Sequence, residues 1–149
     1  MNLNTGLSKG YAADVIQQPR DLKNNPIHVL WVGGDGTAAH RAEHAQSQGS
    51  LSVTFKPVGY SPDLLPDKPT IFVVESSHGP ANDKALALIS RVQCLPHLRS
   101  IWMTPRDHAD DRVTGYKAGA DMCLSKSVDE RLLLAVIKQK WDRLQELPH

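Results

Sequence analysis

The stretch from Asp111 to Leu133, DRVTGYKAGADMCLSKSVDERLL, constrains this chain more than any other. Apolar and polar residues at helical spacing run to Ala118, and Gly119, Ala120 and Asp121 make a tight turn. Met122 to Ser125 form a short apolar strand, Lys126 stands at its carboxyl end, and a second helix follows from Val128 to Leu147. Ser127 with Glu130 three residues later has the spacing of a capping box, in which each side chain satisfies an orphan backbone donor of the other. A strand of this length, entered from one helix and left into another, belongs to a parallel sheet, because parallel neighbours are joined by helical crossovers.

The rest of the chain repeats the alternation. Residues Met1 to Pro26 mix Asn, Gln, Gly, Lys and Pro with few clustered apolar residues and are expected to form a flexible tail, since they cannot bury enough surface to offset chain entropy. Residues 27 to 147 are expected to form one domain. Ile27 to Val32 reads as a buried strand ending in Gly33, Gly34, Asp35 and Gly36, and Thr37 starts a helix carrying Ala38, Ala39, Ala42 and Ala45. Leu51 to Phe55 is a second strand. Five breakers, Pro57, Gly59, Pro62, Pro66 and Pro69, leave room for at most a short helix over Ser61 to Leu65. Thr70 to Val74 is a continuous apolar strand ending in Glu75. A helix over Asp83 to Cys94 precedes Pro96, Ser100 to Met103 makes a fourth strand that delivers Thr104, and Asp107 to Ala118 is the fourth helix of this count. Five strands alternating with helices predict an α/β fold: a doubly wound five-stranded parallel sheet of flavodoxin-like order 2-1-3-4-5, with helices on both faces.

Charge and composition narrow the setting. Seventeen basic and 16 acidic residues among 149 leave a net charge of +1, so no basic field invites a phosphate backbone, and nucleic-acid binding by this domain itself is not expected. No apolar run approaches the ~20 residues that span a bilayer, and no signal-peptide order is present at the start. The two cysteines, Cys94 and Cys123, sit among apolar neighbours without metal-type spacing, which suits buried reduced thiols better than a disulfide framework. The expectation is a cytoplasmic protein with no membrane contact.

In an open α/β sheet, active groups gather beyond the carboxyl ends of the strands. Here those ends supply Gly33, Gly34 and Asp35 from the first strand, Glu75 from the third, Thr104 from the fourth and Lys126 from the fifth. With the Gly-Ala-Asp turn and the strand-end lysine, this pattern resembles the receiver domains of bacterial two-component response regulators, over roughly Ile27 to Ile137. The resemblance implies a phosphoacceptor at the position of Glu75, an acidic Mg²⁺-binding pair at Gly33 and Gly34, phosphoryl-sensing groups at Thr104 and Lys126, and an aromatic switch residue at Cys123. Only Thr104 and Lys126 match those types. With glycines at the acidic pair, at most Asp35 and Glu75 could serve a cation that demands near-octahedral oxygen ligands, so Mg²⁺ binding is expected to be lost or reduced and no cofactor is expected.

Glu75, one methylene longer than aspartate, is expected to pair with Lys126 and with Thr104 in a metal-free arrangement. Cys123 cannot swing as an aromatic does. Ser127 replaces the proline that follows the lysine in receivers, which favours a trans Lys126–Ser127 bond. The reading is an atypical, degenerate receiver, not an enzyme, acting as a phosphorylation-independent interaction or dimerisation module, for instance the regulatory part of a transcription or other output regulator. The expected partners are signalling proteins or a second copy, met through the face of the fourth helix, fifth strand and fifth helix. Trp141, Leu144 and Leu147 extend that last helix as a candidate dimer seam.

Two rival readings remain. One is a phosphorelay receiver that still accepts phosphate. The other is a nucleotide sensor that uses the Gly33–Gly36 turn, where Gly34 to Ala39 fits a relaxed GxGxxA pattern and Gly33 to Thr37 is similar to the nucleotide-binding signature of lipid and NAD kinases. Against the latter, the second strand ends at Lys56 rather than in an acid. His40 and His44, four apart on one helix with Glu43 beside them, have metal-compatible spacing but no third convergent ligand in sequence.

Overall fold

The computed structural model describes residues 26–45, 51–56, 65–76, 83–104 and 106–146. Five strands, β1 (Ile27–Val32), β2 (Leu51–Lys56), β3 (Thr70–Glu75), β4 (Leu98–Thr104) and β5 (Met122–Ser125), alternate with four helices among these residues: α1 (Thr37–Ala45), α2 (Asp83–Val92), α3 (Ala109–Ala118) and α4 (Glu130–Gln145). The strands form one sheet of order β2-β1-β3-β4-β5, every pair parallel. This is the doubly wound architecture expected from the alternation. The proposed tail and the end of the domain at Leu147 lie outside the described residues, as does all of the short helix at Ser61 to Leu65 except Leu65, which is in no helix.

Alternation along the strands sorts the core into two layers. Ile27, Val29, Trp31, Ile71, Val73, Ile101 and Met103 pack on one side with α1 and α4. Leu30, Val32, Phe72, Val74, Trp102 and Cys123 pack on the other with α2, whose buried face is Ala85, Leu88, Ile89 and Val92. All of β3 is buried, as a central parallel strand should be. Trp141 and Leu144, expected at a dimer seam, are instead 7 % and 0 % exposed and belong to the α1–α4 layer; Trp141 meets His28 edge-on, its ring centroid 6.0 Å away. These two side chains of the seam are therefore core, and Leu147 lies outside the described residues.

α3 buries only Asp111 and Gly115. Its carboxyl end turns at Gly119, with the Gly119 and Ala120 N–H groups donating to Tyr116 and Gly115 carbonyls. Gly115 lies mid-helix, where glycine costs roughly 0.5–1 kcal/mol relative to alanine, and its reason is proximity: a Cβ there would lie 2.8 Å from Trp102 Cζ3 and 2.5 Å from Cys123 Sγ. The start of α4 departs from the capping-box reading. Asp129 is the N-cap, accepting from Arg131 N at 2.8 Å, and Ser127 bonds Ser125 instead. Asp129 lies immediately before the helix and needs no reach across a turn, which is why it displaces Ser127.

The two border strands have outward backbone donors that side chains occupy. Glu43 of α1 accepts the Val53 N–H of β2 at 3.2 Å, and the Tyr116 hydroxyl of α3 accepts the Cys123 N–H of β5 at 3.2 Å.

Candidate functional site

The carboxyl ends of β1, β3, β4 and β5 converge, and Glu75 is at their centre. Its side chain is 8 % exposed. Oε1 accepts the Trp31 indole N–H at 2.9 Å, and Oε2 lies 3.3 Å from Lys126 Nζ. Trp31 is fully buried and Lys126 about one-third exposed, so one partner is fixed by packing and the other reaches in from the rim. The Lys126 backbone is anchored as well, its N–H donating to Thr104 O at 2.7 Å.

The expected Glu75–Lys126 pair is therefore formed, but Thr104 takes no part in it. The Thr104 hydroxyl, 1 % exposed, donates to Arg106 O within its own loop. That loop is held further by Arg106, whose guanidinium donates to both oxygens of the fully buried Asp111 at 3.1 and 2.7 Å. Hydrogen bonds from Arg106 hold the Asp111 carboxyl below the usual carboxylate range, against the opposing effect of burial. A hydroxyl with an acceptor two residues away in its own loop gains more from that local bond than from reaching across the sheet, which the strand-end position alone could not reveal.

Gly33, Gly34 and Gly36 all have positive φ. At Gly34, with φ 74°, an added Cβ would lie 2.6 Å from Glu75 Cδ and 2.9 Å from Oε2. The space that a side chain would take at this position is thus filled by the Glu75 carboxylate. The glycines and the glutamate are one steric unit: the longer acid fits because position 34 carries no side chain.

Asp35 turns to the start of α1: its Oδ1 accepts the Thr37 N–H at 2.9 Å, a local bond made one residue before Gly36, whose carbonyl accepts the first bond of the helix. The Thr37 backbone and side chain, and then the positive charge of Lys126, hold its carboxyl below the usual range. This carboxylate also places negative charge where a nucleotide phosphate would seek the helix N-terminus. Gly33 N–H is engaged with Lys56 O at 3.0 Å. At the positions where a cation would need oxygen ligands, the glycines offer no carboxylate, Asp35 Oδ1 accepts from Thr37, and Glu75 faces an ammonium group. Among the described residues no group of three His, Cys, Asp or Glu could hold a metal; His40 and His44 are exposed rings 4.2 Å apart, and Glu43 serves β2.

Cys123, at the expected switch position, is 3 % exposed, and burial pushes its thiol up to about 12, whereas Cys94, expected to be buried as well, is exposed past the end of α2. No cis peptide bond occurs among the described residues, so Lys126–Ser127 is trans. Trp31 is the site residue that the sequence reading did not assign to the site. Its signal was a tryptophan facing the same layer as the α1 and α4 apolar residues, two positions before the glycine turn, since a buried indole N–H needs an acceptor.

No protein-family model matches the chain, and no curated protein matches it. Solved structures do. A CheY-like receiver domain from Methanospirillum hungatei aligns at TM-score 0.65 and 18% identity over 82% of this chain and 98% of its own. A candidate pilus assembly-related protein from Burkholderia pseudomallei aligns at TM-score 0.62 and 21% identity over 78% and 90%. An orphan response regulator of H. pylori aligns at TM-score 0.61 and 15% identity over 77% and 96%. At these identities the likeness shows the fold: the five-stranded flavodoxin-like sheet of response-regulator receivers.

Proposed function

We propose that this chain is a degenerate receiver module, not an enzyme, which binds protein partners without being phosphorylated and without Mg²⁺. The observation that carries this is the Glu75 carboxylate seated over Gly34 between Trp31 and Lys126. Phosphoryl transfer to a carboxylate depends on positioning and on a metal that spreads the developing charge. Here the acceptor position is turned into an ion pair, and the two positions of the acidic pair, Gly33 and Gly34, have no oxygen side chains. The Thr104 hydroxyl is engaged with Arg106, so the phosphoryl-sensing pair is divided.

The interaction surface is the α3–β5–α4 face, where a partner or a second copy docks. Val113, Tyr116 and Leu132 are 50 %, 47 % and 51 % exposed there, three of the four large apolar side chains that the described surface leaves open. Should the setting be an assembly, as for the pilus-assembly neighbour, rather than a two-component pathway, the partner changes and the site argument does not.

The test is tryptophan fluorescence titrated with Mg²⁺, followed by an acyl-phosphate donor and intact-mass measurement, with nucleotides titrated separately. No saturable response and no phosphoprotein are expected. A saturable Mg²⁺ response with a phosphoprotein would overturn the proposal in favour of a phosphorelay receiver, and a saturable nucleotide response would overturn it in favour of a sensor.

A further inference from the structure

Trp102 connects Ser76, the residue that follows Glu75 in the chain, to the α3–β5 surface. At one end its Nε1 donates to Ser76 Oγ at 2.7 Å. Ser76 directly follows Glu75, is fully buried, and has its own N–H fixed on Met103 O at 3.0 Å. At the other end the ring lies against Gly115 so closely that α3 has no room for a Cβ there. Cys123 closes the same space from β5, its Sγ donating to Arg112 O of α3 at 3.6 Å. Next to Gly115, Tyr116 is half exposed and holds β5 through the Cys123 N–H and Met122 Sδ. The fully buried indole therefore has one end bonded to the residue that follows Glu75, across the sheet from the Glu75 carboxylate, and one end packed where α3 sits.

We propose that Trp102 is a rigid strut that delivers any change in the environment of Glu75 to α3 and its exposed residues Val113 and Tyr116. Close packing makes this possible: a ring with no free space on either side cannot move at one end without displacing what lies against the other. A second route from the site to α3 exists, through Thr104, the Arg106 carbonyl and the Arg106–Asp111 pair. The two routes share no side chain, so they can be separated. The inference deepens the proposed function by naming how the site would regulate its docking face. The coupling itself is measurable on the protein alone.

The experiment places Glu75→Gln in four backgrounds of the full chain (wild type, Ser76→Ala, Trp102→Phe and Arg106→Gln) and reads backbone amide shifts of Gly115 and Tyr116. In the wild-type and Arg106→Gln backgrounds, Glu75→Gln is expected to move both amides. In Ser76→Ala and Trp102→Phe the movement is expected to fall by about half or more, because the indole bond is absent. Should Trp102→Phe fail to fold, Ser76→Ala carries the test. Equal movement with and without Ser76, or none in the wild type, would overturn the strut. Native mass of Leu132→Glu reads the docking face separately, so loss of one reading leaves the other standing.

Discussion

Replacing Lys126 by Met removes the ammonium group and keeps the stem, leaving Glu75 with Trp31 alone. Two limits bracket the cost. An exposed ion pair is worth about 0.2–1 kcal/mol, whereas stripping the partner from a fully buried charge costs roughly 3–5 kcal/mol. Glu75 is 8 % exposed and Lys126 34 %, so water can reach the lysine side but hardly the carboxylate. The expected loss is therefore about 1–3 kcal/mol, a fall in Tm of roughly 2–12 °C for a chain of this size. Glu75→Gln tests the source of that loss, because its amide oxygen still accepts from Trp31 while no charge remains to be neutralised. In the double variant, Lys126→Met leaves no buried anion behind, so the two costs should fall short of their sum by about 1–2 kcal/mol. The assay is urea unfolding at neutral pH followed by circular dichroism. Additivity within about 0.5 kcal/mol would show that the pair carries no coupling energy and would refute the electrostatic pairing of Glu75 with Lys126.

Gly34→Ala forces a Cβ into the Glu75 carboxylate at φ 74° and should destabilise by about 1–3 kcal/mol; adding Glu75→Ala, which empties that space, should recover part of the loss in thermal melts. Asp111 gives a pH signature: its folded carboxyl lies below the ordinary 3.8 because Arg106 bonds it, so its contribution is complete above that value and fades as pH falls through the folded value. Melts of wild type and Arg106→Gln from pH 7 downward should therefore converge only below about pH 4, and an unchanged gap at the acid end would contradict the assignment. Thiol labelling of the native protein near pH 8 should modify exposed Cys94 and spare buried Cys123, with both reacting in urea.

The sheet order was legible because strand runs such as Thr70 to Val74 are apolar throughout and Pro and Gly separate them from the helices. The strand-end positions of Glu75, Thr104 and Lys126 followed from the same alternation, and the Glu75–Lys126 pair from their charges. What the sequence withheld were choices between nearby partners. Thr104 bonds Arg106 rather than Glu75, Asp35 turns to Thr37, and Asp129 rather than Ser127 starts α4. Each is settled by a difference of one hydrogen bond within a few residues, which periodicity does not encode. Trp141 and Leu144 misled for another reason. Their spacing marks an apolar face but not what covers it, and the sheet face shared with α1 supplies the cover.

Glu43 and Tyr116 on the two border strands restrict how this molecule can assemble. A peptide that extends a sheet must find unengaged main-chain donors along an edge. On β2 and β5 a carboxylate and a phenol already hold one donor each, so a visiting strand would have to evict a side chain from its own helix at each border. Growth by strand addition, the route to fibrous aggregates, is thereby obstructed at both ends of the sheet.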